Sequence, residues 1–465
     1  MSSQFSVRSS QWAMFTPMPP LRTGVAHYAS MLVPALRKHV EVEVVTENQE
    51  LRTENASRIY QLGNNPHHEF AYRAAMANPG VIVLHDIVLH HLIVEMTLAR
   101  GDVKGYVEAL RANHGEVGAA WARGRAAGLH SEIGNFLLPA SIDVANRSRA
   151  VIVHNRYSAD RLRSFGVRTP IHVVPHPYEA QPVVKSGRKH VIGFFGFLTS
   201  AKRADIVLTA FRAARKQNRD VRLLVVGDPA PDIDTSAFSG DGIVFTGYVP
   251  DDKFAGYFGE VDRIVNLRYP TAGETSGTLI RAFEAGIPVA VSDYAQFAEL
   301  PDDCVTKIPL GEGEVEALTN FFTAALPDVS KAQRKWLEQN ARMELTVAGY
   351  LSALQWSGGL QPAGGLKAAS TLPLFPNLEI VARDARSFTI RNAGETPLKA
   401  RAYGEPGYHV VANDRWLDLP GDLAPGATAT IELPDELRGQ TLVLVHAIQG
   451  IPAVDPQAWA RVAVQ

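Results

Sequence analysis

One cysteine, Cys304, in 465 residues leaves no disulfide framework and no thiolate metal cluster to build, a usage that suits a reducing compartment. Basic excess is missing too. The formal net charge is -2, so the chain lacks the surplus of cations that a nucleic-acid binder needs against a phosphate backbone. No uninterrupted apolar run approaches the length of a membrane span. Met1 to Ser10 is polar and lacks the apolar core of a secretory signal, so the expectation is a cytoplasmic protein. What is present is ordinary globular material. Hydrophobic residues make up 46% of the chain, enough for buried cores, and 465 residues correspond to two or three domains.

The first third alternates short β patterns with helical ones. Trp12 to Phe15 reads as a strand, followed by a turn through Pro17, Pro19 and Pro20. Gly24 then opens a helix whose apolar face is Val25, Tyr28, Met31, Leu32 and Leu36. Val40, Val42 and Val44 alternate with Glu41 and Glu43 as a strand with one exposed face. Val81 to Leu84 and Ala150 to Val153 are fully apolar, as buried parallel strands are, and they end in His85-Asp86 and His154-Asn155. This rhythm predicts a parallel sheet with helices on both faces, whose ligands bind at the carboxyl ends of the strands. His85 and His154 both fall at such ends, and His90 and His91 read as structural.

The rhythm breaks after Pro175-His176-Pro177-Tyr178 and restarts at the strand Val191 to Phe195, which runs into Gly196. A helix Ala204 to Lys216, strands Val221 to Val226 and Ile243 to Thr246, the latter running into Gly247, and a strand Arg263 to Leu267 follow. The second unit is therefore another doubly wound domain, expected to face the first across a cleft. A helical pattern runs from Trp336 to Leu354, and Ser357 to Gly365 has the composition of a flexible linker. Beyond it, short β-rich segments such as Ser387 to Arg391, Ala427 to Leu433 and Thr441 to Ile448 lie between Gly, Pro and Asn turns. They predict a small all-β sandwich. The expected organisation is 1–178, 179–356, a linker at 357–370, and 371–465.

Chemistry concentrates in Tyr269-Pro270-Thr271-Ala272-Gly273-Glu274-Thr275-Ser276-Gly277-Thr278, which runs into the helical pattern Leu279, Ile280, Phe283. A Gly, Ser and Thr loop opening a helix presents unpaired backbone N–H groups and the positive end of the helix dipole to an anion. Glu274 at its lip can accept hydrogen bonds from sugar hydroxyls but would repel a phosphate held against it. Together these features suit a phosphate attached to a sugar.

Across roughly Trp12 to Trp356 the motif order resembles the retaining GT-B glycosyltransferases of family GT4, the group 1 glycosyltransferases. The Pro-rich turn into Gly24 resembles the family's first Gly-containing loop, and His85 matches the histidine that faces the donor sugar. Val173 to His176 resembles the segment joining the two domains. Phe195-Gly196 with Lys202-Arg203 resembles the element whose lysine binds the donor diphosphate. Gly273 to Gly286 resembles the segment that carries two glutamates, the first on the sugar and the second on the nucleotide ribose.

The resemblance implies a hexosyltransferase that moves a sugar from a nucleotide-diphosphate sugar to a hydroxyl of a glycan or lipid-linked acceptor, with retention and without a metal or cofactor. A lipid-linked acceptor would extend the expected location to peripheral contact at the inner face of a membrane. His85, Glu274 and Lys202 are the expected catalytic residues. Gly24, Gly196, Arg203, Gly247, Arg268, Thr275, Ser276, Gly277, Thr278 and Glu284 are the expected donor contacts.

Two positions depart from the family pattern. Phe197 stands where an arginine usually follows Gly196, so a diphosphate contact is missing or comes from Arg203 or Arg268. Eight residues after Glu274 stands Ala282, which leaves either Glu284 or Arg281 at the ribose. Lys202 is expected to be partly exposed. Asp232-Ile233-Asp234 lies in a loop and is assigned no metal, and Tyr403, Tyr408 and Trp416 are read either as core or as a sugar-stacking face. A nucleotide-sugar epimerase or a non-catalytic sugar-binding scaffold of the same architecture is the alternative.

Overall fold

The computed structural model describes residues 11–357, except 22, 48, 50, 54–55, 130–131, 179–182 and 231–232. Beyond these it describes 378–383, 387–392, 407–412, 415–432, 441–448, 451–452 and 460–463. The first domain is a parallel sheet of β1 (Gln11–Phe15), β2 (Glu41–Val45), β3 (Ser57–Leu62), β4 (Val81–Leu84), β5 (Ala150–Val153) and β6 (Ile171–Val173), in the order β2-β1-β3-β4-β5-β6. Its central strands are buried on both faces, which is why they read as unbroken apolar runs.

The second domain repeats the design with β7 (Val191–Phe195), β8 (Arg222–Val226), β9 (Ile243–Phe245), β10 (Arg263–Asn266), β11 (Val289–Ser292) and β12 (Thr306–Ile308), ordered β12-β11-β10-β7-β8-β9. The chain reverses its direction across the sheet between β7 and β10. In open sheets of this kind the ligand crevice lies outside the carboxyl ends of the strands at that reversal. The Phe195-Gly196 and Tyr269-to-Thr278 segments leave from those two ends.

The helical pattern expected over Trp336 to Leu354 is two helices, Ser330–Asn340 and Met343–Ser357. Leu337 packs into the second domain's core, whereas Val347, Tyr350, Ala353 and Leu354 pack against Tyr28, Ile59, Val83 and Ile152 of the first. A straight helix could not serve both cores. Ala341, fully buried, leaves the helical region at φ -140°, and its carbonyl takes the Tyr178 N–H at 2.9 Å. The closing helix is thus built into the first domain's hydrophobic core, and at Gly349 there is no room for a side chain: a Cβ there would lie 2.7 Å from Val174 Cγ1.

The expected linker lies, apart from the helical Ser357, outside the described residues. The C-terminal strands form two antiparallel sheets. One pairs Leu378–Arg383, Ser387–Asn392 and Thr428–Glu432. The other pairs Arg415–Asp418, Gly407–Ala412, Thr441–Ile448 and Ile451–Pro452, with Ala460–Ala463 alongside. Tyr403 lies outside the described residues; Tyr408 and Trp416 fall on strands of the second of these sheets.

Candidate functional site

The crevice of the second domain is lined by cations. Gly196 leaves β7 at φ +88°, a conformation that favours glycine, and a Cβ there would sit 2.8 Å from Lys202 Nζ and 3.7 Å from Thr278 Oγ1. The bare Gly196 therefore lets the lysine ammonium and the start of the 277–284 helix converge. Lys202 is buried, not partly exposed, and its Nζ donates to the Phe195 carbonyl. Burial and then the Arg268 guanidinium push its pKa well below the usual lysine value, with Glu274 partly opposing them. A lysine held this way gains from an arriving anion.

Ser276 caps the helix Gly277–Glu284, its Oγ accepting from Leu279 N at 3.3 Å and donating to Asn266 Oδ1 at 3.2 Å. With the cap bonded to Leu279, the first N–H groups have no partner inside the helix, and Gly277 is exposed. Thr275 joins this turn to Glu274. Arg268, also buried, lies with its Nε 2.6 Å from Glu274 Oε1, an ion pair by distance without a directed hydrogen bond. Glu274 Oε2 accepts from Thr271 Oγ1 and Ala272 N, both at 3.0 Å. Gln296 ties the loop from below, donating to Thr271 Oγ1 at 2.9 Å and to the Glu274 carbonyl at 3.0 Å.

The first domain grips this loop. Ile87 N donates to the Ala272 carbonyl at 2.7 Å, while Asn155 Nδ2 and Ser158 Oγ both donate to the Gly273 carbonyl, at 2.8 and 3.1 Å. Gly273 has φ +79°, and a Cβ there would be 2.4 Å from Ser158 Oγ. Glu299 adds a second tie, accepting from Arg156 N at 3.3 Å and from Tyr157 N. Glu274 therefore depends on both domains for its position.

Of the two arginines that the sequence left open, Arg268 faces the lysine, whereas Arg203 is engaged elsewhere. Arg203 sits at φ +60° and pairs bidentately with Glu314, Nε to Oε1 at 3.1 Å and Nη2 to Oε2. Phe197, in the usual arginine position, is 56% exposed. Ala282 is fully buried, so a carboxylate could not serve from that side of the helix. Glu284 and Arg281 are both partly buried, and Arg281 stands 5.6 Å from the Phe254 ring centroid. Gly24 opens its helix after the cap Thr23, whose Oγ1 accepts from Ala26 N, and Gly247 takes φ +65° beyond β9. At both glycines nothing lies within 4 Å of where a Cβ would stand. Asp232 is outside the described residues, and Asp234 caps a turn through Ser236 N.

The carboxyl ends of β4 and β5 are different in kind. His85, at the end of β4, packs among Tyr28, His154 and His176, with ring centroids 4.7 to 5.6 Å apart. Its Nε2 contacts Gln61 Oε1 and its Nδ1 lies 3.2 Å from His154 Nε2; His154 Nδ1 meets the Val174 carbonyl at 2.9 Å. Gln61 continues to Tyr350 Oη at 3.2 Å, and Tyr350 to Tyr28 Oη at 2.9 Å. Burial, followed by His154, His176 and His68, holds the His85 pKa well below the ordinary value; burial likewise takes His154 down to about 4 and His176 to about 3.

Asp86, the next residue, was not singled out by sequence reasoning although it shares the strand end. Burial and then the Glu274 charge push its carboxyl up to about 7, against the Asn64 N–H at 2.7 Å and Arg268. Asn155, Ser158 and Gln296 were also missed, because ordinary polar side chains carry no pattern of their own.

Two Rossmann-like domains in one chain, with buried cations and an open helix N-terminus at the switch point of the second, define the GT-B class of fold. Residues 189–328 match the family described as glycosyl transferases group 1. The second domain is a glycosyltransferase domain of that group, and glycosyl transfer is the activity class it brings to the chain. Among solved structures the chain is similar to HepE of Anabaena in complex with UDP and glucose: 16% identity over 74% of this chain and 100% of that one, TM-score 0.49. It is also similar to sucrose-phosphate synthase of Thermosynechococcus elongatus, at 15% identity over 75% and 100%, TM-score 0.48. None of the curated proteins matches the sequence.

Proposed function

We propose that the protein transfers a sugar from a nucleotide-diphosphate sugar to an acceptor hydroxyl, with retention of the anomeric configuration and without a divalent metal. The observation that carries this reading is the convergence of Lys202, Arg268 and the open end of the 277–284 helix on the β7/β10 crevice. Breaking a sugar-to-diphosphate bond builds negative charge on the leaving group, and preorganised cations and N–H groups answer it at low dielectric. Lys202 gains most, since the diphosphate offsets both its burial and the repulsion from Arg268. Arg268 is shared between the phosphates and Glu274, and Glu274 accepts from hydroxyls on the sugar. The acceptor hydroxyl attacks on the face the phosphate leaves, and its proton passes to the departing phosphate oxygen, so no protein nucleophile is needed. Grip on the 272–273 carbonyls by the first domain keeps water from the anomeric carbon.

Among the described residues no group of three or more His, Cys, Asp or Glu side chains is arranged to hold a metal ion. That bears only on protein ligands; a metal carried by the phosphates is tested by EDTA. Thermal-shift screening against UDP-, GDP-, ADP- and dTDP-sugars identifies the donor, because a ligand stabilises the state it binds. UDP-glucose, with which HepE has been crystallised, is the first to try. Product NMR then reads the linkage: an α donor giving an α product supports retention, and a β product overturns it. Conversion of the donor without any acceptor would point to an epimerase, and binding without turnover to a scaffold.

A further inference from the structure

The string from Val174 to Tyr28 begins at a peptide carbonyl, whose role is fixed, and from there the protons can be followed along it. A peptide carbonyl only accepts, so His154 carries its proton on Nδ1, against Val174 O. A neutral His154 then presents a lone pair at Nε2, and His85 must donate to it from Nδ1. Neutral His85 in turn has a lone pair at Nε2, which calls for a donor. In the structure Gln61 Oε1 faces His85 and its Nε2 faces Tyr350 Oη at 3.2 Å and Met14 Sδ at 3.7 Å. Amide oxygen and nitrogen are told apart only by their bonding, and Gln61 supplies the donor only with this amide turned, so that the NH₂ faces His85 and the oxygen accepts from the Tyr350 hydroxyl, with the weak Met14 contact given up.

The opposite amide orientation needs three protons on the four ring nitrogens, hence one imidazolium. Burial is the largest influence against a positive charge on His85, followed by His154, His176 and His68. Gln61 is fully buried, so its amide has no water with which to compromise.

We infer that His154 and Gln61 are positioning residues that hold His85 as the neutral tautomer with its proton on Nδ1, both ring nitrogens spent on the protein. His85 then offers the sugar no ring N–H and brings no positive charge to the β4 end. At an anomeric carbon that turns positive as the phosphate leaves, an imidazolium would oppose the reaction. This consequence rests on the transfer proposed above, whereas the tautomer does not. Tyr350, from the closing helix, anchors the far end of the string, so a residue 289 positions from Gln61 helps to orient a strand-end histidine.

The test is nitrogen NMR of the histidine rings in the full-length protein, labelled at histidine, at about pH 7.5, a unit above the ordinary histidine value. His85 is assigned by the signal lost in His85→Gln. The expected spectrum has protonated Nδ1 and unprotonated Nε2 on His85, with a coupling through the hydrogen bond between His85 Nδ1 and His154 Nε2. An imidazolium, or a proton on His85 Nε2, in the unaltered protein overturns the inference without any variant having to fold. His154→Phe keeps the ring's shape but removes its lone pair, and the His85 proton should move to Nε2; a proton remaining on Nδ1 assigns the tautomer to something other than His154. Gln61→Glu, as a carboxylate, can only accept, so above the carboxyl pKa, read from the carbon-labelled side chain at position 61, His85 should become an imidazolium and donor turnover should fall about tenfold or more. A charged His85 with unchanged turnover would remove the consequence for catalysis while leaving the tautomer standing. Neither spectral outcome depends on knowing the donor, so failure of the proposed function and failure of this inference read differently.

Discussion

The carboxyl ends of the two parallel sheets face the same chemistry in opposite conditions. At the first sheet, His85, His154, Gln61, Tyr350 and Tyr28 satisfy one another end to end, and burial keeps the rings neutral. At the second, Lys202 and Arg268 are buried close enough to repel each other, and the helix from Gly277 opens with only its Leu279 N–H taken up by the Ser276 cap. One side is complete as it stands; the other is arranged around charge that a ligand brings. The lesson is that a buried polar cluster becomes a binding site through what it leaves unmatched, and a matched cluster acts as support.

The largest effect is expected from a variant that removes support on the cationic side. Arg203→Ala leaves Glu314, 1% exposed, without its cation and with the Gly311 N–H at 3.2 Å still donating to it, and the fold should lose roughly 3–5 kcal/mol in denaturant titration. A loss near zero would mean that the pair is not structural, and would return Arg203 to the list of diphosphate contacts.

Lys202→Met should next cost about 2–4 kcal/mol of transition-state stabilisation, a fall of some hundredfold in kcat/KM, with little change in melting temperature. Melting should hold because the change removes a desolvated charge that Arg268 already opposes. Unchanged kcat/KM in the folded variant would take Lys202 out of the site.

Proton linkage compares the two sides directly. With Lys202 depressed in the empty protein, binding of a nucleoside diphosphate raises its pKa and should take up a fraction of a proton, up to about one, between the two values. Calorimetry in buffers of different ionisation enthalpy measures this uptake. Proton release, or none, would show the lysine already charged before the ligand arrives.

Asp86 supplies a smaller, stability-based test on the other side. Its folded pKa of about 7 lies above the unfolded value, so the folded state binds more protons in between, and stability falls as pH rises toward 7. Asp86→Asn mimics the protonated form and should flatten that part of the melting-temperature profile, with its gain greatest above pH about 7. An identical slope in both proteins would place Asp86 outside the titration.

The smallest effect is expected from ending the chain after Ser357. Every phosphate- and sugar-facing candidate precedes that point, and Tyr350 is retained, so donor binding should be unchanged by thermal shift, with any loss confined to acceptor KM. Loss of donor binding in a folded, shortened protein would make the C-terminal strands part of the site.

How far these residues could be read from the chain follows their spacing. The loop from Tyr269 to Thr278 announced itself because a phosphate-holding turn is local: glycine, hydroxyl and helix start fall within ten residues. The doubly wound sheets were legible for the same reason, since a buried strand writes its environment in four or five consecutive side chains. Lys202 was legible as a motif residue and misjudged in exposure, because burial depends on what Gly196 and Arg268 do around it. The string from Gln61 through Tyr350 carried no mark at all, since each member alone is an ordinary polar side chain.

The sequence by itself determined the parallel strands, the anion-holding turn and the change to β grammar after the linker composition, all features settled by short-range sterics, hydrogen bonding and periodicity. Only the tertiary structure decided that Arg203 belongs to Glu314, that Arg268 stands between Lys202 and Glu274, and that His85 has no ring nitrogen to spare. The reason is physical. Charge and protonation depend on distance and desolvation, and both are created when residues as much as 322 positions apart are packed into one water-free place.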